Sequence, residues 1–207
     1  KGGLNIRASV DLGMQRAARK ALMTGLERVD RAQGYRGPLY RPADEAAQVA
    51  LGKAIEATAV QGGQILDLQG LAGEEPPKDV AGAIRVVSVA PGLSVGARVT
   101  AIEKQKTRRG RQRFGLLDMG GGRKGRVNLS ERAWQKPLPG RMPKIWGNGQ
   151  RPYTRIKAGD IVLVRLTKVN EDQSLEAQLI QKPRVQGALI AIDPRSRDVL
   201  AMVGGYS

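Results

Sequence analysis

The end of the chain limits it most. Residues 188–192 (ALIAI) and 199–203 (VLAMV) are continuous apolar runs without alternation. Runs of this kind and length read as strands buried on both faces. Between them stands Asp193-Pro194-Arg195-Ser196-Arg197-Asp198, where Pro194 suits a turn and the charges suit solvent. The expectation is a hairpin. Two strands with two apolar faces are not stable alone, so a helix or further strands must cover each side. Gly204-Gly205-Tyr206-Ser207 leads onward from the second run. Residues 185–207 therefore read as the opening of a domain, and the chain as a segment of a larger protein.

The other end supplies partners for such a sheet. Residues 3–9 (GLNIRAS) alternate Leu4, Ile6 and Ala8 with Asn5, Arg7 and Ser9, the pattern of a half-buried strand. Asp11 stands at a helix N-cap position. From Leu12 to about Arg31, Met14, Ala18, Ala21, Leu22, Gly25, Leu26 and Val29 recur on one side at helical spacing. Gly34 provides a stop. Residues 43–60 predict a second helix with Ala46, Ala47, Ala50, Leu51 and Ile55 as its apolar side. Residues 61–82 are rich in Gly, Pro and acids, lack a clean period, and read as a connector. Residues 83–89 predict a short strand.

Residues 96–183 follow another plan. Segments 97–103, 113–119 and 124–129 are strand-like. Residues 130–134 suit a short helix capped by Ser130, and 138–155 form a long Pro/Gly loop. Residues 161–169 and 174–181 alternate again. Three strands, a short helix and two strands is the order of an OB barrel. Gly125-Arg126-Val127-Asn128-Leu129-Ser130-Glu131 after Phe114-Gly115-Leu116-Leu117-Asp118 resembles RNA-binding barrels of ribosomal type.

Two stretches carry a more specific resemblance. One is Asp11, Gln15-Arg16-Ala17-Ala18-Arg19-Lys20-Ala21-Leu22, Gly25-Leu26, Asp30-Arg31 and Gly34-Tyr35-Arg36-Gly37-Pro38. The other is Val185-Gln186-Gly187-Ala188-Leu189-Ile190-Ala191-Ile192-Asp193-Pro194 with Leu200-Ala201-Met202-Val203-Gly204-Gly205-Tyr206. Together they resemble class A penicillin-binding proteins of Gram-negative type, the bifunctional peptidoglycan synthases. Leu12 departs from the family's Pro at the first helical position, where Pro only preorganises a turn. The resemblance implies an OB-like domain inserted near the start of a transpeptidase domain. It also implies a periplasmic parent, anchored in the inner membrane by a segment not in this chain. Glycan polymerisation would lie upstream and penicillin-sensitive crosslinking downstream, with the serine nucleophile beyond Ser207. In some lineages the OB-like domain docks a lipoprotein activator.

The expected fold is α+β: a five-stranded OB-like barrel inserted between a strand–helix segment and a C-terminal hairpin that pair in a partial transpeptidase sheet. Residues 1–60 and 184–207 would be transpeptidase pieces, 61–95 a connector and 96–183 the barrel.

Composition narrows the chemistry. The chain has no His and no Cys, which removes Ser-His-Asp and Cys-His mechanisms and thiolate metal sites. Ser-x-x-Lys, Ser-x-Asn and Lys-Thr-Gly, the transpeptidase signatures, do not occur; Lys106-Thr107 is followed by Arg108. No catalytic residue, metal or cofactor is expected in this chain. Gly120–Gly125 (GGGRKG) matches G-x-G-x-x-G, but a strand rather than a helix follows it, so it reads as a hairpin turn. Glu74-Glu75 reads as a solvated acidic pair.

A net charge of +16 predicts anionic partners without choosing among them. Its focus is Lys104, Lys106, Arg108, Arg109, Arg111, Arg113, Arg123, Lys124 and Arg126. These nine cations against Asp118 leave a net +8 over residues 104–126. They would gather at one end or edge of the barrel, either as a solvated edge that blocks aggregation or as a docking surface. Candidate partners are a lipoprotein activator or another cell-wall synthesis protein, an anionic envelope surface, or nucleic acid. A nucleic-acid-binding OB module is the alternative function, but such barrels stack bases on aromatic platforms, and only Phe114 lies in a predicted barrel strand of this set. An interaction scaffold unrelated to the cell wall is a third reading. Trp134 would plug one barrel end. Trp146 would anchor a partner or pack back onto the barrel.

Overall fold

The computed structural model describes residues 8–73, 79–108, 110–131, 134 and 152–206. Among them run the helices α1 (Leu12–Ala32), α2 (Glu45–Ala57) and α3 (Pro152–Arg155). The strands are β1 (Gln64–Asp67), β2 (Arg85–Ser88), β3 (Ser94–Thr107), β4 (Gly110–Asp118), β5 (Lys124–Asn128), β6 (Ile161–Val169), β7 (Leu175–Leu179), β8 (Ala188–Ile192) and β9 (Val199–Gly204). The α+β expectation holds.

A side-chain cap begins each long helix, and that of α1 stands where the sequence places it. The Asp11 carboxylate accepts the Met14 N–H at 2.7 Å, and Asp44 accepts the Ala47 N–H at 2.8 Å. Gly34 takes a left-handed φ of 91° past the end of α1, and its N–H reaches the Arg31 carbonyl at 3.0 Å.

Five strands form a mixed sheet that closes on itself in the order β3-β4-β5-β7-β6, with β3 returning to β6. All neighbours are antiparallel except β5 and β7. Closure leaves the inner face fully covered. Val95, Val99, Leu117, Val127, Val164, Leu175 and Leu179 point into one core. Trp134 is buried in it, edge-on to Tyr35 with ring centroids 5.3 Å apart.

The stretch read as a connector is ordered and packed in its first half. β1 pairs with β2, from Gln64 opposite Ser88 to Asp67 opposite Arg85. Ile65 enters the barrel core, whereas Leu66, Leu68 and Leu71 join Leu51 and Ile55 of α2 in a second core. Neighbouring residues thus bury toward two different cores, which erases the period that marks a strand. The backbone after β1 presses on β3: the Leu68 N–H donates to the Gly96 carbonyl at 3.0 Å, and the Gly96 N–H donates to Asp67 at 2.9 Å. A Cβ at position 96 would lie 2.6 Å from the Leu68 carbonyl carbon, so Gly is required there.

The terminal hairpin forms between β8 and β9 in the expected place. Ala18 and Leu22 of α1 cover one face of it, against Leu189, Ala191, Ala201 and Val203. The opposite face is bare among the described residues, with Ile190 at 58%, Ile192 at 57% and Met202 at 63% exposure. Burial on both faces is therefore corrected to burial on one. The start of α1 closes the outer edge of β9. The Asp11 N–H donates to the Leu200 carbonyl at 2.9 Å, and Ser9 Oγ donates to the Val199 carbonyl at 3.0 Å. The Gln15 amide donates to the Met202 carbonyl at 2.8 Å and accepts its N–H at 2.9 Å.

Some expectations fall wholly or partly outside the described residues: the strand at 3–9 except Ala8 and Ser9, which form none, the pair Glu74-Glu75, part of the helix at 130–134, and the loop through residue 151. The last four residues of that loop are instead a helical turn, Pro152–Arg155. Pro152 suits its first position because Pro needs no N–H partner there.

Candidate functional site

Five of the nine cations, Lys104, Lys106, Arg108, Arg111 and Arg113, are carried by the β3–β4 hairpin as it outruns the barrel. Inward positions of β4 continue from Leu117 through Gly115 to Arg113 and Arg111, because alternate residues share a face. Their partners across the ladder are Ile102 for Gly115, Lys104 for Arg113 and Lys106 for Arg111. The line of inward side chains thus changes from apolar to cationic where the barrel stops supporting it. A register shift at Val99 and Ala101 lets β3 keep this face.

Two pairs of like charges therefore stand directly opposite each other. Like charges directly opposite each other are destabilising. Among the described residues no carboxylate lies within salt-bridge distance of Lys104, Lys106, Arg108 or Arg111. Asp118, the one acid within the basic stretch, is taken by Arg98 at 2.7 Å and by the Gly120 N–H at 3.0 Å. Arg113 lies over the Tyr153 ring at 4.3 Å.

The nine cations do not gather at one end. Arg126 is on the outer face of the hairpin, over the Phe114 ring at 3.7 Å and donating to Gln105. Arg123 and Lys124 stand at the far end of β4, beyond Asp118, where Arg123 donates to Gln173 at 2.8 Å. Glu171 and Asp172 line the same polar cleft and dilute the charge there. Arg109 and Trp146 lie outside the described residues. The expectation of one cluster is corrected to a face of Lys104, Lys106, Arg111 and Arg113 with Arg108 at its tip. The reasons are two: alternation puts Arg126 on the opposite face, and the length of β4 carries Arg123 and Lys124 to the other end of the hairpin. The glycine loop is a turn, with Gly120, Gly121 and Gly122 all at positive φ and β5 directly after it.

Sequence reading missed a second arrangement. The last turns of α1 are bonded to the barrel exit. Asp30, 1% exposed, accepts from Arg36 at 2.5 Å and from the Gln181 amide at 2.6 Å. Arg36 also donates to the Lys182 carbonyl at 2.6 Å. One turn earlier, Glu27 accepts both Arg165 guanidinium nitrogens, at 2.6 and 3.1 Å, and the Tyr206 hydroxyl at 2.9 Å. Three elements distant in sequence meet at this carboxylate. The Arg165 guanidinium holds Glu27 below the usual carboxylate range, and burial, helped by Glu27, pushes the Tyr206 hydroxyl up to about 12. The available signal was the Gly-Tyr-Arg-Gly-Pro run: Gly34 ends the helix, Tyr35 meets Trp134, and Arg36 clamps Asp30.

No helix among the described residues is long and apolar enough to cross a membrane. Models of known protein families give no match to the chain. Individual proteins do. Penicillin-binding protein 1A of Rickettsia conorii is 26% identical over 205 residues, 99% of this chain and 19% of that protein. Its counterpart in Rickettsia felis is 27% identical over 205 residues, again 99% and 19%. That of Rickettsia typhi is 27% identical over 206 residues, 100% and 19%.

The chain is similar along its whole length to a segment of penicillin-binding protein 1A. The resemblance to class A penicillin-binding proteins read from both ends is thereby shown. The chain spans about a fifth of the length of these relatives.

Proposed function

We propose that the chain is a non-catalytic part of a bifunctional peptidoglycan synthase, whose barrel is a docking module for an anionic partner. The closed strand order, with its single parallel pair, supports reading the barrel as OB-like. In this reading the barrel is an insertion, and α1 with the β8–β9 hairpin belongs to the transpeptidase sheet. The whole protein would work in the periplasm, polymerising glycan and crosslinking peptides through regions outside this chain.

The face of Lys104, Lys106, Arg111 and Arg113, opposed like to like without an acid, carries the docking reading. Such cations also keep an edge from pairing with itself, but with no acid beside them they leave a positive face that an acidic partner can neutralise. Phe114, the aromatic that a nucleic-acid reading needs, is covered by Arg126 and does not offer a free stacking platform. A regulatory protein of the lipoprotein-activator class therefore fits better than a nucleic acid.

The test is the combined reversal Lys104→Glu, Lys106→Glu and Arg111→Glu in the full-length synthase. Affinity for its activator lipoprotein is expected to fall by about tenfold or more, with thermal unfolding of the barrel unchanged. Unaltered affinity would overturn the assignment of this face.

A further inference from the structure

We infer that the basic hairpin takes its partner by strand addition: an acidic, extended protein segment pairs with the open edge of β3. This rests on the docking reading above and specifies its mode.

β3 is paired with β6 only over residues 94–98. Val99 makes the last bonds on that side, its N–H to the Asp160 carbonyl at 2.8 Å and its carbonyl from the Gly159 N–H at 2.7 Å. The strand then bulges at Thr100 and continues to Thr107 with β4 as its neighbour on the other side. Along residues 101–106 no described strand or loop bonds to the outer edge. At about 3.3 Å per residue this is an open ladder of roughly 20 Å. Unpaired ladders of this length template another strand.

Charge selects which strand. A neutral strand would meet Lys104 and Lys106 with no compensation, and a second copy of β3 would offer Glu103 alone against its own Lys104 and Lys106, so self-pairing is disfavoured. A strand with acidic side chains at alternate positions reverses the sign and answers Lys104, Lys106, Arg111 and Arg113 from one side. The edge also has an entrance. Where β3 leaves β6, a cleft of mixed polarity opens between α2 and β3, lined by Val49, Lys53, Glu45, Glu56, Arg98 and Thr100. Val49 is 51% exposed there. An extended segment would keep its acidic positions along the hairpin, clear of Glu45 and Glu56 in this cleft. An anionic lipid surface could use the charges but has no use for a row of backbone groups. This favours a protein segment.

The probes are a short synthetic peptide alternating Glu with Val, and a second of equal charge carrying Pro at its centre, which cannot complete a ladder. Both are titrated into the chain while amide hydrogen exchange is followed, alongside phosphatidylglycerol vesicles. The expected result is that the first peptide binds about tenfold tighter than the second, slows exchange within residues 101–106, and loses binding to Lys104→Glu with Lys106→Glu. Equal binding of both peptides without protection of 101–106 overturns strand addition and leaves anion docking in place. Tighter binding to the vesicles overturns the protein segment in favour of a lipid surface. No binding to any probe overturns both readings.

Discussion

The barrel and the terminal hairpin are sheets that draw on the same aliphatic side chains and meet opposite fates. In the barrel, closure pairs every strand on both sides for part of its length and turns one face wholly inward. Val95, Val162, Val164 and Leu179 have no exposure there. The β8–β9 hairpin has comparable aliphatic side chains, yet only Ala201 and Val203 are buried within it, because one helix covers one face. Apolar content alone does not bury a strand; the topology must supply a cover on each side. The barrel supplies its own cover, whereas the hairpin depends on what packs against it.

The comparison breaks most sharply in the barrel core. Trp134→Ala removes the large ring that meets Tyr35 and is expected to cost about 3–5 kcal/mol. Chemical unfolding of the chain, monitored by far-UV circular dichroism, measures this. A loss below about 1 kcal/mol would mean that the barrel does not depend on a packed interior, and the contrast with the hairpin would lapse.

A smaller effect sharpens the boundary between the two regions. Glu27 joins α1 to Arg165 of the barrel and to Tyr206 just after β9. Its carboxyl titrates lower in the folded protein than in the unfolded chain, so its contribution is fully present above the unfolded value near 4.3. That contribution is lost as pH falls through the folded value. The groups are part-exposed, so solvent screening holds the contribution to about 1 kcal/mol or less. Arg165→Met should flatten the fall of stability between neutral and acid pH relative to the parent chain. Identical pH profiles would remove Glu27 from the link between barrel and helix.

What the sequence revealed divides along physical lines. Periods of 3.6 and 2, and a cap such as Asp11, are local signals, and they announced α1, α2 and the barrel strands. β1 was hidden because Ile65 and Leu66 face two cores, and the segment holding it looked polar overall. The bond of Asp30 to Arg36 and Gln181 was hidden because Gln181 is 151 residues away. The basic set was legible as a charge count, not as a face. Hairpin register put Lys104 and Arg113 together, while the turn at Gly120 carried Arg123 and Lys124 to the other end. The apolar runs of β8 and β9 were read correctly as strands. Their second face shows how far a pattern states a need for cover that the described residues do not supply.

The smallest effect tests that second face directly. Ile190 and Met202 are cross-strand neighbours on the bare side of the hairpin. Thr at both positions keeps a side chain compatible with strands and removes apolar surface that has no described contact. Stability of this chain should change by no more than about 0.5 kcal/mol. Binding of a hydrophobic dye should fall, because a contiguous apolar patch has been broken. A loss above about 1 kcal/mol would mean that these side chains are packed in solution. The hairpin would then have two covered faces, and its difference from the barrel would be one of degree.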